Sequence, residues 1–233
     1  MKQLAYLFFL LIFLGSCRYK TGSGNIISET RSTGNFDGIS VGGGFDVEVK
    51  IGNTTSVVVE ADDNIIQYIE TTVSGNILKI RTEGMNNFSD VHMKVFITAP
   101  AIKRIKASAS AEVDVQDVLA GTDELTFGAS SGASIKAAVD APRVSADVSS
   151  GASIDLVGKT KSYTAEASSG AEIRSRELLS ENTTVKVSSG ASAKVHASVS
   201  LNVNASSGAS VTYNGGATVN QSVSSGGSVS RRD

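Results

Sequence analysis

Apolar and polar side chains alternate along most of the second half of this chain, with a period of two residues. Around Gly151, for example, Val144, Ala146 and Val148 precede the glycine and Ile154 follows it, and Ser and Asp separate the first three. Alternation with this period is typical of a β-strand that buries one face. The pattern therefore predicts one strand before the glycine and another after it.

A motif close to Ser-Ser-Gly-Ala-Ser recurs six times, at intervals of 18 to 20 residues. A fixed period near 20 residues is the signature of a stacked repeat. Each repeat contains a strand, a Ser-Ser-Gly corner, a second strand and a return rich in turn residues, as at 140–142, 158–160, 180–182 and 214–216. The corner glycines are Gly132, Gly151, Gly170, Gly190, Gly208 and Gly226.

The repeat is too short for a propeller blade, and it lacks the helix of a leucine-rich repeat. We therefore predict an all-β fold, a parallel β-solenoid (β-helix) with roughly 18–20 residues per coil. Each residue of such a fold pairs with its equivalent in the next coil, about 4.8 Å away. Equivalent residues then form files, with methyl groups in a thin core and the paired serines in hydroxyl ladders along one edge.

The first half of the chain carries more varied strands but repeats the corner pattern twice. Residues 42–47 have the same role as a corner and the strand after it, and residues 108–113 are a degenerate copy of the motif. We therefore assign residues 34–233 to a single β-solenoid domain. Its wider, more hydrophobic N-terminal half covers 34–106, and the regular coils cover 107–230.

Two local signals in the first half predict other elements. Gly75-Asn76 between apolar runs indicates a turn that joins two strands. The polar residues 62–64, followed by a run of isoleucines, predict a short helical turn that begins at a side-chain cap.

The N-terminus has the pattern of a secretion signal. Lys2 precedes an apolar run at residues 4–14, which is too short to span a bilayer comfortably. The run ends in Leu-Gly-Ser-Cys at residues 14–17, which resembles the lipobox of bacterial lipoproteins. This resemblance implies that residues 1–17 contain a lipoprotein signal peptide, that cleavage occurs before Cys17, and that the thiol of this cysteine is acylated.

The alternative is an ordinary secretory signal with an incidental cysteine. Cys17 is the only cysteine of the chain and has no intramolecular disulfide partner, which favours lipid attachment. Residues 18–33 are rich in Gly, Ser and other polar residues, and they predict a flexible tether. We therefore expect a lipid-anchored protein of the bacterial cell envelope, in the outer membrane, on its periplasmic face or at the cell surface.

Several stretches over about residues 34–215 resemble the head GIN domain family of auto-transporter adhesins, lipoproteins that are common in Bacteroidetes. The resemblance lies in the order of the motifs more than in any one of them. It implies a β-helix-like fold and a role in adhesion, and it supplies no catalytic residues. The stretches are Arg31, residues 36–39, 44–47, 59–65 and 75–80, and the repeated Ser-Gly-Ala-Ser.

Charge and histidine content argue against several classes of ligand. Removal of Lys2 with the signal peptide leaves 20 basic and 23 acidic residues and a net charge of −3. The sequence has no basic patch with interleaved aromatic residues, so we expect no nucleic-acid partner. His92 and His196 lie far apart in sequence, and each is expected to face solvent from a strand. The corners lack the carboxylates of a calcium-binding repeat. We expect no metal and no cofactor.

Acidic residues raise the alternative of a β-helix carbohydrate-active enzyme, because such enzymes need carboxylates that converge on one face. The candidates are Asp147, Asp155, Glu166 and Glu172. Asp155 and Glu166 stand at different offsets from their corner glycines, and Glu172 is expected to stack near serines with no second acid nearby. A solvated strand surface explains all four, so no catalytic residue is predicted.

The remaining feature is a regular surface of serine hydroxyls. Such a surface could bind a glycan or another envelope protein, or the hydroxyls could satisfy one another and the corner backbone. We predict a non-enzymatic binding module, an adhesin anchored to the membrane by its lipid. The alternatives are the enzyme described above and a structural scaffold lipoprotein of the envelope.

The last coil departs from the pattern. Gln221 stands at an inward position, and Arg231 and Arg232 lie near the end of the chain. Charged side chains at an exposed sheet edge oppose pairing with another molecule. We therefore expect these arginines to protect the open end of the stack.

Overall fold

The computed structural model describes residues 19–84, 87–121 and 123–232. In this part of the chain it contains strands and one 3-10 turn, Ile66–Tyr68. The strands are β1 (Tyr19–Thr21), β2 (Ile26–Arg31), β3 (Gly38–Gly42), β4 (Asp46–Ile51), β5 (Ser56–Asp62), β6 (Ile69–Ser74), β7 (Ile77–Thr82), β8 (Asn87–Ser89), β9 (Met93–Ala99), β10 (Arg104–Ser108), β11 (Glu112–Ala120), β12 (Glu124–Ala129), β13 (Ser134–Val148), β14 (Ser153–Ala167), β15 (Glu172–Ser175), β16 (Leu178–Val187), β17 (Ser192–His196), β18 (Ser200–Ala205), β19 (Ser210–Asn214), β20 (Thr218–Val223) and β21 (Ser228–Arg231).

The strands form two rows that meet at the corners. The pre-corner row contains, in order, β6, β7, β3, β10, β12, β13, β14, β16, β18 and β20. The post-corner row contains β2, β5, β9, β4, β11, β13, β14, β15, β17, β19 and β21. β13 and β14 belong to both rows, and from β3 and β4 onwards the pairing is parallel. The predicted parallel β-solenoid is confirmed.

The N-terminal end of the stack is built differently. β2 pairs antiparallel with β5, and β5 pairs antiparallel with β9. β6 and β7 form an antiparallel hairpin through Gly75 and Asn76, which have φ angles of 59° and 62°. Positive φ at both central residues is the conformation that a tight hairpin turn requires, so the predicted turn is confirmed.

The core is a set of files in which equivalent apolar residues lie above one another. Full burial of an aliphatic side chain contributes about 1.5–3 kcal/mol, so each file stabilises the contact between every pair of coils that it joins. Larger side chains, including the buried Phe36 and Phe45, fill the N-terminal part. One such file contains Val113, Ile135, Ile154, Ile173, Ala193 and Val211.

The corners have two consecutive residues in the left-handed region. In the first regular corner Ser131 has φ 53° and Gly132 has φ 73°, and the backbone N–H of Ala133 donates to the carbonyl of Ser130 at 3.2 Å. The other five corners repeat this turn. A residue with a Cβ loses roughly 1–2 kcal/mol in this conformation, so the second serine of each motif is strained. The sequence pointed to the glycine but not to the strained serine.

Hydrogen bonds between coils hold the corners in file. The N–H of each of the first five corner glycines donates to the carbonyl of the second serine in the next coil, for example Gly132 to Ser150 at 3.1 Å and Gly151 to Ser169 at 3.1 Å. Paired backbone groups at a turn avoid the cost of leaving a polar group unsatisfied. The same ladder includes Gly44, whose N–H donates to Ala109 at 2.8 Å. This contact confirms that residues 42–47 and 108–113 are equivalent to the later corners.

The returns differ from the prediction in three of the four coils. Residues 140–142 lie inside β13, 158–160 inside β14 and 180–182 inside β16. The register continues from Ala141 to Arg143 and omits only Pro142, which has no N–H to donate. Pairing with the adjacent coils keeps the backbone around Pro142 extended, and this overrides the local turn preference. In the fourth return, Asn214 ends β19 and residues 215 and 216 form a bend.

The predicted flexible tether at residues 18–33 is not what the structure shows for the described part of that segment. β1 pairs with β8, and β2 makes a six-residue antiparallel pairing with β5. Cys17 and the predicted signal sequence lie outside the described residues. Among the described residues, no helix has the length and apolar character needed to cross a bilayer.

Candidate binding surface

The outward side chains of the pre-corner row form a continuous polar surface over the six regular coils, which we call the polar face. It consists of four files with one residue per coil. Neighbouring coils are about 4.8 Å apart, and alternate residues of one strand are about 6.6 Å apart. The files are Ser130, Ser149, Ser168, Ser188, Ser206 and Ser224; Gly128, Asp147, Glu166, Lys186, Asn204 and Ser222; Thr126, Ser145, Thr164, Thr184, Asn202 and Asn220; and Glu124, Arg143, Ser162, Asn182, Ser200 and Thr218.

Charge is distributed unevenly along the polar face. Glu124, Arg143, Asp147, Glu166 and Lys186 all lie in its first four coils. The last two coils carry only neutral hydrogen-bonding side chains, and we call this part the neutral end. Its residues are Ser200, Asn202, Asn204, Ser206, Thr218, Asn220, Ser222 and Ser224.

Most of these polar groups have no partner in the protein. Within the described part of the chain, the side chains of Asn202, Asn204 and Asn220 make no hydrogen bond, and neither do the hydroxyls of the two serines in each of the six corners. The serines are stacked in files along the corners, as expected, but their hydroxyls do not hydrogen-bond to one another. Stacked identical side chains follow the coil spacing of about 4.8 Å, which exceeds the 2.7–2.8 Å of an O–H···O bond. The free groups are available to solvent or to a ligand.

A groove of about 430 Å³ follows two files of the polar face. Its lining includes Glu166, Lys186, Asn204 and Ser222 on one side and corner serines such as Ser206 on the other. The Nζ of Lys186 donates to Oε1 of Glu166 at 2.8 Å, so these two charges compensate each other. The groove therefore offers mainly uncharged hydrogen-bonding groups.

The four candidate carboxylates are divided between the two rows of the solenoid. Asp147 and Glu166 are in register on the polar face, whereas Asp155 and Glu172 lie on the post-corner row. Glu172 does stack between Ser153 and Ser192, as predicted.

The expectation that Glu172 has no acid near it is wrong, because Arg174 donates to both Glu172 and Asp155. A hydrogen bond from Lys194, together with Arg174, holds the pKa of Glu172 below its usual value. The general-acid carboxyl group of a glycosidase needs a raised pKa. The carboxylate of Glu172 is therefore suited to an ion pair and not to proton donation.

The two histidines occupy separate places. His92 Nε2 lies 2.8 Å from Glu60 Oε1, and the backbone N–H of His92 donates to Asp62 Oδ2 at 2.8 Å. His196 Nδ1 lies 3.3 Å from the carbonyl of Ser180. In residues 19–84, 87–121 and 123–232, no group of three or more His, Cys, Asp or Glu side chains is arranged to hold a metal ion.

Residues 62–64 have a role that the sequence did not reveal. The 3-10 turn that follows them has no side-chain cap. Asp62 instead accepts the N–H of Gly24 at 2.7 Å, and Asp63 accepts the hydroxyl of Ser23 at 2.6 Å. The side chain of Asn64 accepts the N–H of Ser23 at 3.1 Å and donates to a carbonyl. These side chains fasten the N-terminal segment to the body, because their oxygens accept the free N–H and O–H groups of that segment.

A parallel β-solenoid with a hydroxyl- and amide-rich face is the class of protein that this fold and surface define. A family model described as "Putative auto-transporter adhesin, head GIN domain" matches residues 35–217, and the chain belongs to that family. The resemblance stated from the sequence is confirmed. No match was found among curated proteins.

Solved structures of similar fold include three from Bacteroides and Parabacteroides species. A "putative adhesin" from Bacteroides fragilis is 17% identical with a TM-score of 0.84, and the match covers 91% of this chain and 100% of that one. A "putative adhesin" from Parabacteroides merdae is 18% identical with a TM-score of 0.71, covering 92% and 99%. A "putative lipid binding protein" from Parabacteroides distasonis is 16% identical with a TM-score of 0.74, covering 93% and 100%. At these identities the likeness establishes the fold.

Proposed function

We propose that this protein is a non-enzymatic, lipid-anchored adhesin of the bacterial cell envelope, and that the polar face binds a neutral glycan. The observation that carries the proposal is the neutral end, where unpaired amides and hydroxyls repeat from coil to coil. Sugars without charge present hydroxyl groups that both donate and accept, and amide and hydroxyl side chains match them. The family and its solved relatives described as adhesins support the same role.

The character of the surface also indicates the kind of glycan. The outward files of the polar face contain no aromatic side chain on which a sugar ring could stack. A single net hydrogen bond contributes only about 0.5–1.5 kcal/mol. Useful affinity must therefore come from many equivalent contacts, so the ligand is a long polysaccharide with a regular repeat.

The enzyme alternative has less support. Asp155 and Glu172 are held in ion pairs with Arg174, and Glu166 is paired with Lys186. A scaffold lipoprotein, the other alternative, would recognise an envelope protein through the same face. Cross-linking in cells to one defined protein, without glycan binding, would favour that alternative.

The anchor is tested separately from binding. Mass spectrometry of the protein purified from membranes is expected to show cleavage before Cys17 and acyl chains on that residue. Protease treatment of intact cells then distinguishes the cell surface from the periplasmic face. An uncleaved or unacylated chain contradicts the lipid anchor.

Binding is tested with two matched double variants in the same two coils. Asn202 and Asn220 are register partners on the polar face, and Thr212 and Ser230 are register partners on the post-corner row. Changing both members of the first pair to Lys is expected to weaken retention on neutral polysaccharide columns or glycan arrays at least about thirtyfold, since four or more hydrogen bonds are lost or displaced. The same change in the second pair should leave retention unaltered. Equal effects of the two double variants, or no retention of the unaltered protein, would exclude the proposal.

A further inference from the structure

The segment that leads to the anchor is fixed to the body almost from its first described residue. β1 pairs with β8, the amide of Asn64 donates to the carbonyl of Thr21 at 2.9 Å, and Ser23 and Asn25 both donate to Asp63. The buried carboxylate of Asp62 accepts the N–H of Gly24 at 2.7 Å. The chain from β1 to β2 therefore has no freedom to act as a linker.

This attachment leaves very little chain between the body and a lipid on Cys17. Only Arg18 separates Cys17 from Tyr19, the first residue of β1. Two residues of extended chain span at most about 7 Å. A membrane that holds acyl chains on Cys17 would therefore lie against the surface around Tyr19.

The surface around β1 has the chemistry of a membrane interface. Tyr19 is 62% exposed, more than any other large hydrophobic or aromatic side chain that the structure describes as exposed. The Nζ of Lys20 lies 3.5 Å from the ring centroid of Tyr68, and the rings of Tyr68 and Phe88 are 6.2 Å apart. Tyr19 precedes Lys20 in β1, so its side chain points to the other face of this strand. We call Tyr19, Lys20, Tyr68 and Phe88, which lie on both faces of the β1–β8 pair or against it, the aromatic corner.

Aromatic and basic side chains together fit the headgroup region of a bilayer. Tyrosine is enriched at membrane–water interfaces because its ring is apolar and its hydroxyl is polar. Lysine and arginine near the surface gain about 1 kcal/mol each from anionic lipids, and Arg18 and Lys20 flank Tyr19. Two of the other exposed apolar side chains, Ile26 and Ile27, belong to the next strand of the same segment.

We propose that the aromatic corner lies in the headgroup layer of the membrane that anchors Cys17, so that the body docks on the bilayer at this corner. This inference rests on the proposed lipid anchor. Docking at this corner also affects where the binding surface lies. The last coil is eight strand spacings, or about 40 Å, beyond β9 along the stack. Docking at the aromatic corner holds the neutral end away from the lipid contact.

Tryptophan fluorescence tests this contact directly, since the chain contains no Trp. Tyr19→Trp places a single probe in the aromatic corner, and Val223→Trp places a control probe at a position that is 44% exposed in the last coil. Each full-length lipidated variant is reconstituted into vesicles of phosphatidylcholine and phosphatidylglycerol, with and without bromine on the acyl chains near the headgroups. We expect the brominated lipid to remove about half of the Tyr19→Trp emission and none of the Val223→Trp emission, as for an interfacial residue.

The outcomes separate this inference from the anchor itself. Mass spectrometry of the same vesicles shows whether Cys17 is acylated. An acylated chain whose Tyr19→Trp emission is unquenched overturns docking at the aromatic corner and leaves the anchor intact. Equal quenching of both probes also overturns it, because the body would then lie along the bilayer. An unacylated chain overturns the anchor and this inference together.

Discussion

Arg174 and Asp155 face each other across two neighbouring coils and share two hydrogen bonds. Nε donates to Oδ1 at 2.5 Å and Nη2 donates to Oδ2 at 2.7 Å, and the two residues are register partners in β15 and β14. Glu172 accepts a third bond from Nη1 at 2.6 Å. The hydrogen bonds to Asp155, followed by those to Glu172, raise the pKa of Arg174 above its usual value. On the post-corner row, this ion pair therefore connects two neighbouring coils.

A double-mutant cycle measures the contribution of this pair. Arg174→Ala, Asp155→Ala and the double variant are expected to give a coupling free energy of about 1 kcal/mol in urea unfolding, because both bonds of a planar guanidinium are used and the side chains are only partly exposed. The pair of Lys186 and Glu166 is the control. It has one bond and more exposed side chains, so its coupling should be about 0.3 kcal/mol. Equal couplings would contradict this account.

Replacing a glycine by alanine should have opposite effects at a corner and inside a strand. Gly151 has φ 70° and open space where the Cβ of an alanine would lie, so Gly151→Ala should destabilise the protein by about 1 kcal/mol through backbone strain alone. Gly128 lies inside β12 without a positive φ, and its nearest neighbour would be 3.5 Å from a Cβ. Gly128→Ala should therefore stabilise by about 0.5 kcal/mol. Thermal unfolding of both variants shows whether each one gains or loses stability. A change in the same direction at both sites would show that backbone conformation does not decide the effect.

Tyr163 is a polar residue at a core position. It is 1% exposed, and its hydroxyl has no partner with hydrogen-bond geometry. Burial raises its pKa, with a smaller opposite effect from the hydroxyl of Ser175, so the phenol stays neutral. Tyr163→Phe is expected to increase the free energy of unfolding by about 1 kcal/mol, because it removes an unsatisfied buried group.

A nearby hydroxyl provides the matched control for Tyr163. Thr183 is also buried, but its hydroxyl donates to the carbonyl of His196 at 2.8 Å. Thr183→Val should lower the free energy of unfolding by about 1 kcal/mol, since it removes a satisfied bond. Chemical denaturation of both variants makes the comparison, and a loss of stability in Tyr163→Phe would show that its hydroxyl is bonded.

The N-terminal segment should loosen in acid. The hydroxyl of Ser23, followed by the amide of Asn25, lowers the pKa of Asp63. A carboxylate with a lowered pKa stabilises the folded state above its unfolded pKa of about 4, and this contribution is lost as pH falls through the lower folded value. Amide hydrogen exchange at residues 23–25, corrected for intrinsic rates, should therefore accelerate below about pH 4.

Asp63→Asn is the control for this pH effect. It keeps a side-chain oxygen that accepts a hydrogen bond and removes the titration. The variant is expected to lose most of the pH dependence at residues 23–25. If the wild type and the variant respond equally to acid, the charge of Asp63 does not hold the segment.

The open end of the stack gives a prediction about association. In the last coil the inward-facing Val219 and Val229 are only partly covered, and Gln221 is exposed. Changing both Arg231 and Arg232 to Val removes the charges beside this edge and should promote end-to-end association, because an unprotected edge pairs with other strands. Sedimentation velocity at increasing concentration measures it. An unchanged sedimentation coefficient would exclude a protective role for the arginines.

The amino-acid sequence by itself determined the repeating part of this protein. In a parallel in-register stack the neighbours of a residue are its equivalents one period away, so the spacing of Gly132, Gly151 and Gly170 already fixes which residues share a file. The period-two alternation fixes which files face the core. For the same reason the position of Glu172 between Ser153 and Ser192 follows from the spacing alone.

Tertiary structure alone decided the contacts that have no period. The attachment of Ser23 and Asn25 to Asp63 joins segments about 40 residues apart that share no repeat, and local rules assigned them to a tether and a helix cap. The extended backbone around Pro142 likewise depends on what the adjacent coils supply. Periodic pairing can be read along one chain, but a contact between unlike segments exists only once the chain has folded and brought them together.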